Sequence, residues 1–156
     1  MLVYHTSYTV ITHPDIMHSR DYLDFGKGFY VTTLREQAKK YAARIAIRNK
    51  KPILNVYELK ADYSSFNRKK FDCYNEEWLD YVANCRDGRP VECYDIIEGG
   101  VANDKVFDTI DLYFSGRMSK DDALRRLIYE KPNWQICLAS QKIIDKNLYF
   151  LYSEEL

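Results

Sequence analysis

The chain has 156 residues, with 23 Lys+Arg balanced by 23 Asp+Glu, 46% hydrophobic residues and 29% charged ones. That length predicts a single domain over residues 1–156, and the composition excludes disordered and fibrous classes. The balanced charge excludes a whole-chain field that would draw in nucleic acid or an anionic membrane.

The four cysteines at 73, 85, 93 and 137 form no CxxC pair, and no His-x-x-x-His accompanies them, so neither a metal site nor a disulfide framework is expected. The opening MLVYHTSYTV lacks a basic n-region, and no window approaches the roughly 18 apolar residues of a membrane span, which predicts a cytoplasmic protein with no membrane partner.

In chain order, residues 2–6 alternate as a short strand does, and a Thr/His/Pro/Asp passage then breaks it, with a helical turn expected from Asp15 to Ser19. Gly26 and Gly28 flank Lys27 and lead into the β-favouring run 29–33. Thr33 and Glu36 read as a capping box, and Leu34, Ala38, Tyr41, Ala42 and Ile45 recur at helical spacing. A helix of about four turns is therefore expected to end near Asn49, ahead of Pro52.

Ile53, Val56, Tyr57 and Leu59 suggest a strand, 62–75 reads as irregular, and 76–86 reads as a helix with Trp78, Leu79 and Val82 on one side. Residues 93–97 fit a short buried strand, Gly99 and Gly100 a turn, and Asn103 the cap of a helix carrying Val106, Phe107, Ile110 and Tyr113 that Gly116 ends. Ser119 and Asp122 open a further helix with Ala123, Leu124, Leu127 and Ile128 on one face. Strands at 134–138 and 148–152 flank a brief helix or turn at 141–145. Helices interrupt strands without a strict βαβ rhythm, so the fold class is α+β.

No G-x-G-x-x-G opens a helix after a strand and no G-x-x-x-x-G-K-[ST] occurs, which leaves a Rossmann site and a P-loop unsupported. The turn Phe25-Gly26-Lys27-Gly28 leads into a strand, a setting that presents side chains rather than cradling a phosphate; an ordinary β-turn is the alternative.

The run Phe25-Gly26-Lys27-Gly28-Phe29-Tyr30, followed by Ala38-Lys39-Lys40-Tyr41, resembles the F-G-K-G-I-Y signature of the poly(ADP-ribose) polymerase and diphtheria-toxin branch of ADP-ribosyltransferases, including the eleven-residue interval between tyrosines. Tyr4-His5-Thr6 sits where that family carries a histidine at the end of its first strand. The whole chain is also similar to a bacterial domain family of unassigned function with an SR…DFGKGFY motif, a GGVANDKVF-like block and a late N-x-Q-I strand.

These resemblances imply split antiparallel β-sheets with flanking helices, NAD⁺ as substrate, and transfer of one ADP-ribose to an unknown protein or nucleic-acid target. They also imply a short antitoxin-like protein as partner, the chain being the toxin of the pair. A catalytically silent NAD⁺ or ADP-ribose-binding module, or a protein-interaction domain, is the alternative.

By resemblance, Tyr30 and Tyr41 sandwich the nicotinamide, His5 bonds the adenine-side ribose hydroxyl, the backbone of Thr6 grips the carboxamide and Gly28 is counted among the NAD⁺-binding residues. Flat, electron-rich phenol faces suit a cationic pyridinium. Arg20 either reaches the pyrophosphate or pairs with Asp21 or Asp24. The family's catalytic glutamate falls at Gln135, whose amide accepts a hydroxyl's hydrogen bond without bringing negative charge. Asp104, Glu98 or a group of the target is then the candidate base, and a glutamate restored at 135 is expected to raise NAD⁺ hydrolysis. Asn103 and Asp104 either rim the cleft or cap a helix, and the basic stretch 67–71 either meets a phosphorylated target or is a solvated loop.

Overall fold

The computed structural model describes residues 1–130 and 132–156. The chain is an α+β fold with two sheets. β1 (Leu2–Ser7), β3 (Ile53–Leu59) and β7 (Leu148–Glu155) form an antiparallel sheet in the order β1-β3-β7. β2 (Phe29–Val31), β6 (Trp134–Leu138), β5 (Ile96–Gly100) and β4 (Arg68–Lys70) form a second sheet in the order β2-β6-β5-β4. Its pairs are antiparallel except β4 with β5, which run parallel, a departure from the wholly antiparallel sheets expected from the sequence.

The helices are α1 (Arg35–Lys40), α2 (Ala42–Ala46), α3 (Glu76–Arg86), α4 (Asp104–Phe114), α5 (Lys120–Leu127) and α6 (Gln141–Asn147).

Strand alternation sorts the side chains into layers. On β3, Leu54 and Val56 meet Ala38 of α1, whereas Tyr57 and Leu59 face inward with Val3, Phe29, Val31, Ile136 and Leu138. This buries the middle of β3 on both faces. The opposite face of the second sheet, through Ile97 and Cys137, packs on Trp78, Leu79 and Val82 of α3, Val106 and Ile110 of α4, and Ala123 and Leu127 of α5. The order of layers is thus α1, first sheet, second sheet, and the α3–α5 helices. No helix among the described residues is long and apolar enough to cross a membrane.

Several local expectations hold, because their signals are local. The turn opened by Asp15 forms as Ile16–His18, and Asn103 and Ser119 accept from backbone amides at the starts of α4 and α5; Asn75, which was not expected as a cap, does the same for α3. Gly116 ends α4 with φ +76.

Five expectations fail where distant contacts intervene. The helix over 34–49 is two short helices broken at Tyr41, and the Thr33 box is not formed, since Leu34 occupies the cap position with no side-chain bond. The break has a cause: the Ala38 carbonyl takes the Thr6 hydroxyl at 2.6 Å and the Tyr41 amide at 3.2 Å. In a continuous helix that carbonyl would accept from Ala42, and a side chain inserted into the ladder kinks it. The strand at 93–97 lies instead at Ile96–Gly100, so Gly99 and Gly100 are strand residues. A Cβ on Gly99 would come within 3.0 Å of Phe25, and one on Gly100 would strike Tyr74. Finally, the irregular stretch 62–75 contains β4, which draws in part of the basic segment 67–71.

Candidate functional site

The two sheets touch where β1 and β2 exchange one pair of backbone bonds, Tyr4 N to Thr32 O at 2.8 Å and Thr32 N to Tyr4 O at 3.0 Å. An antiparallel ladder continued from that rung would next pair Thr6 with Tyr30. It does not, because the His5 imidazole takes the Tyr30 carbonyl at 2.7 Å through Nδ1.

A carbonyl only accepts, so Nδ1 carries the proton and Nε2 is an acceptor. Burial lowers the His5 pKa, the bond to Tyr30 opposing in part, which favours this neutral form. The ring packs against Phe29 at 4.5 Å between centroids. Along a strand, residues two apart point their backbone groups to the same edge, so the Thr6 amide and carbonyl face the same way as those of Tyr4, beyond the last rung. A donor and an acceptor are thereby left side by side at the fork between the sheets. The Thr6 side chain is occupied with Ala38 and ties β1 to α1.

Tyr30 lies one residue from the fork, and its hydroxyl is bound into the glycine turn. It donates to Gly26 O at 2.7 Å and accepts from Phe25 N at 3.0 Å. Burial pushes the phenol well above its ordinary range, so it stays protonated. The turn itself depends on its glycines. Gly26 has φ +77, and a Cβ on Gly28 would strike Cys137 Sγ and stand 2.8 Å from Leu138 O, so only glycine lets β2 approach β6. Gly28 N donates to Ser19 Oγ at 3.0 Å, and Ser19 Oγ donates to Arg20 O at 3.1 Å, which fixes the backbone before the turn.

Register places Tyr30 opposite Cys137, and Gln135 two residues along β6 on the same face. Burial raises the Cys137 thiol to about 12. Gln135 Nε2 donates to Asp24 Oδ2 at 2.8 Å and approaches Gly100 O at 3.4 Å, while Oε1 has no partner among the described residues. Asp24 is buried. Its Oδ1 accepts from Arg86 Nε at 2.9 Å and Nη2 at 2.5 Å, and its Oδ2 also accepts from Ala102 N at 2.9 Å.

The candidates are therefore brought together unevenly. His5, Thr6, Gly28, Tyr30 and Gln135 are joined through β1, β2 and β6. Tyr41 stands apart at the break between α1 and α2, 42% exposed, with the Arg44 guanidinium 5.6 Å above its ring. Arg20 is exposed and makes none of the ion pairs considered for it, since Asp21 pairs with Lys27 and Asp24 with Arg86.

Neither carboxylate offered as a base is beside Gln135. Glu98 sits opposite Ile136 in the register, hence on the other face of β5, and Asp104 is exposed and pairs with Arg44 at 3.5 Å. Asn103 caps α4. Two surface hollows of about 380 Å³ lie elsewhere, one around Arg126 and Tyr129, the other around His13 and Gln141.

The Asp24–Arg86 pair was not legible as part of the site. Asp24 does adjoin the glycine turn, which is a signal, but its partner is 62 residues away.

A profile described as "Protein of unknown function (DUF3990)" matches residues 1–150. No curated protein and no solved structure matches the chain. The match covers more than half of the sequence, and the chain belongs to the DUF3990 family.

Proposed function

We propose that this member of the DUF3990 family is an NAD⁺-dependent mono-ADP-ribosyltransferase. The observation that carries the reading is the fork between β1 and β2, where His5 takes the rung that Thr6 would have filled. The freed Thr6 amide and carbonyl match the carbonyl and amide of a nicotinamide carboxamide, and His5 Nε2 is an acceptor for a ribose hydroxyl. Tyr30 begins the wall against which the ring would lie, and Tyr41, its side chain exposed, would cover the other face. Arg20, without a carboxylate partner among the described residues, is the cation for the pyrophosphate.

In the reaction, the bond between ribose C1′ and the nicotinamide nitrogen breaks, and its electron pair leaves with nicotinamide, which becomes neutral. C1′ takes oxocarbenium character, a nucleophile of the target bonds to it, and that nucleophile gives up its proton to water or to a basic group of the target. Gln135 Oε1 accepts from a hydroxyl of the nicotinamide ribose, a neutral contact that supports the cation less than a carboxylate does. One transfer, without chain growth, fits that weaker support. The same reading makes the chain the toxin of a toxin and antitoxin pair with a short protein partner.

The test is incubation of the protein and its Tyr30→Ala variant with labelled NAD⁺ and a lysate, following nicotinamide release and label on protein or nucleic acid. Tyr30-dependent label is the expected result. The engaged, uncharged Gln135 favours a second reading, a binding module without chemistry: NAD⁺ bound but unchanged after long incubation would establish it, and no NAD⁺ binding at all would sink both.

A further inference from the structure

We propose that Asp24 is the positioning residue of this site, holding the Gln135 amide by Nε2 so that Oε1 is the atom offered to the ribose hydroxyl. The inference rests on the ADP-ribosyltransferase reading for the ligand, but the coupling of the two side chains stands on the geometry.

Asp24 Oδ2 and Gly100 O, the two neighbours of the amide nitrogen, are both pure acceptors. Only the NH₂ end can face them, so the amide has one orientation. A buried carboxylate behind the NH₂ group also polarises the amide and makes Oε1 a stronger acceptor. Asp24 is not itself a base, because four donors from Arg86, Ala102 and Gln135 fill its oxygens. Negative charge therefore lies behind residue 135 instead of on it.

The charge balance around Asp24 explains why residue 135 is an amide. Tyr30, Tyr74, Cys85 and Cys137 surround it, and burial raises the pKa of each, so all are neutral. Among the described residues Arg86 is the one cation bonded to the carboxylate, and Oδ1 takes it. A glutamate at 135 would set a second carboxylate where Nε2 now stands, 2.8 Å from the first, with no second cation among the described residues bonded there, and two such groups do not both ionise. The gain in hydrolysis expected on restoring the glutamate then requires Asp24 to be neutralised as well.

The experiment compares Gln135→Glu with Asp24→Asn/Gln135→Glu, reading the carboxyl titration of residue 135 by carbon-13 NMR and nicotinamide release at neutral pH. The single variant is expected to take its proton well above the usual glutamate range and to release nicotinamide no faster than wild type. In the double variant the titration falls back toward that range and release rises at least tenfold over the single. If Asp24→Asn prevents folding, the titration of Gln135→Glu alone decides. An ordinary glutamate titration in the single variant, or one unchanged by Asp24→Asn, overturns the proposal. A shifted titration with no nicotinamide release from any variant, wild type included, supports the coupling and removes the transferase reading alone.

Discussion

The glycine turn with β6 and the α1–α2 arm each contribute one of the two tyrosines, and they are built in opposite ways. Tyr30 has its hydroxyl bonded at both ends of Phe25-Gly26, sits opposite buried Cys137, and neighbours an Asp24 with every oxygen occupied. Tyr41 sits at a helix break, exposed, with one guanidinium over its ring. Buried, fully bonded polar groups hold one geometry, whereas exposed ones without partners move at little cost. A site assembled from both has a fixed wall and an adjustable one, which suits a ligand that must enter, be gripped and leave.

The contrast makes graded demands. Arg86→Met strands the Asp24 carboxylate in the interior, and the expected cost is about 3–5 kcal/mol of unfolding free energy, read from urea denaturation. A change of less than about 1 kcal/mol would mean that the wall is not held by this pair. Tyr30→Phe keeps the ring face but leaves Phe25 N and Gly26 O unpaired; a loss of about 1–3 kcal/mol is expected, with NAD⁺ affinity largely retained. Affinity falling as far as in Tyr30→Ala would assign the contact to the hydroxyl, not the ring.

His5 gives a pH test. Its folded pKa lies below the unfolded value near 6.5, so the unfolded chain binds the proton more readily. Stability from this group is complete above about pH 6.5 and declines as pH falls toward the folded value, by at most about 1.4 kcal/mol per pH unit. Melting curves between pH 7 and 5 should therefore drop more steeply for wild type than for His5→Gln, and parallel curves would show that the imidazole is not held neutral at the fork. The smallest effect on stability belongs to the arm: Tyr41→Ala should shift unfolding by no more than about 0.5 kcal/mol while weakening NAD⁺ binding measured by calorimetry. Unchanged binding would remove Tyr41 from the site.

Legibility followed the same division. Residues 76–86 fold at the bounds read from the sequence, because an Asn cap, an apolar face of Trp78, Leu79 and Val82, and a glycine after the end all act within the segment. Gly26 and Gly28 were legible as a turn for the same reason. The break at Tyr41 was not, since it comes from Thr6, 32 residues earlier in the chain, capturing the Ala38 carbonyl. Gly99 and Gly100 looked like a turn because glycine usually marks one; here they make room for Phe25, Phe71 and Tyr74, rings brought from elsewhere. β4 has three residues and no periodic signal, and exists through its pairing with β5.

Within the site, the sequence pointed to side chains near the fork: His5 and Thr6 at the end of β1, Tyr30 after a glycine turn, Gln135 on a late strand. That reading came from the resemblance carried by the FGKGFY run, the interval between the tyrosines and the late strand; local propensity fixed only the strand or turn on which each residue lies. Tertiary structure settled which atoms are free. It committed Nδ1 of His5 to Tyr30, the Tyr30 hydroxyl to Gly26, and the NH₂ of Gln135 to Asp24, and among the described residues left Nε2, the Thr6 backbone and Oε1 open. A hydrogen-bonding group has few places for partners, and which ones are filled depends on what the fold brings within about 3 Å.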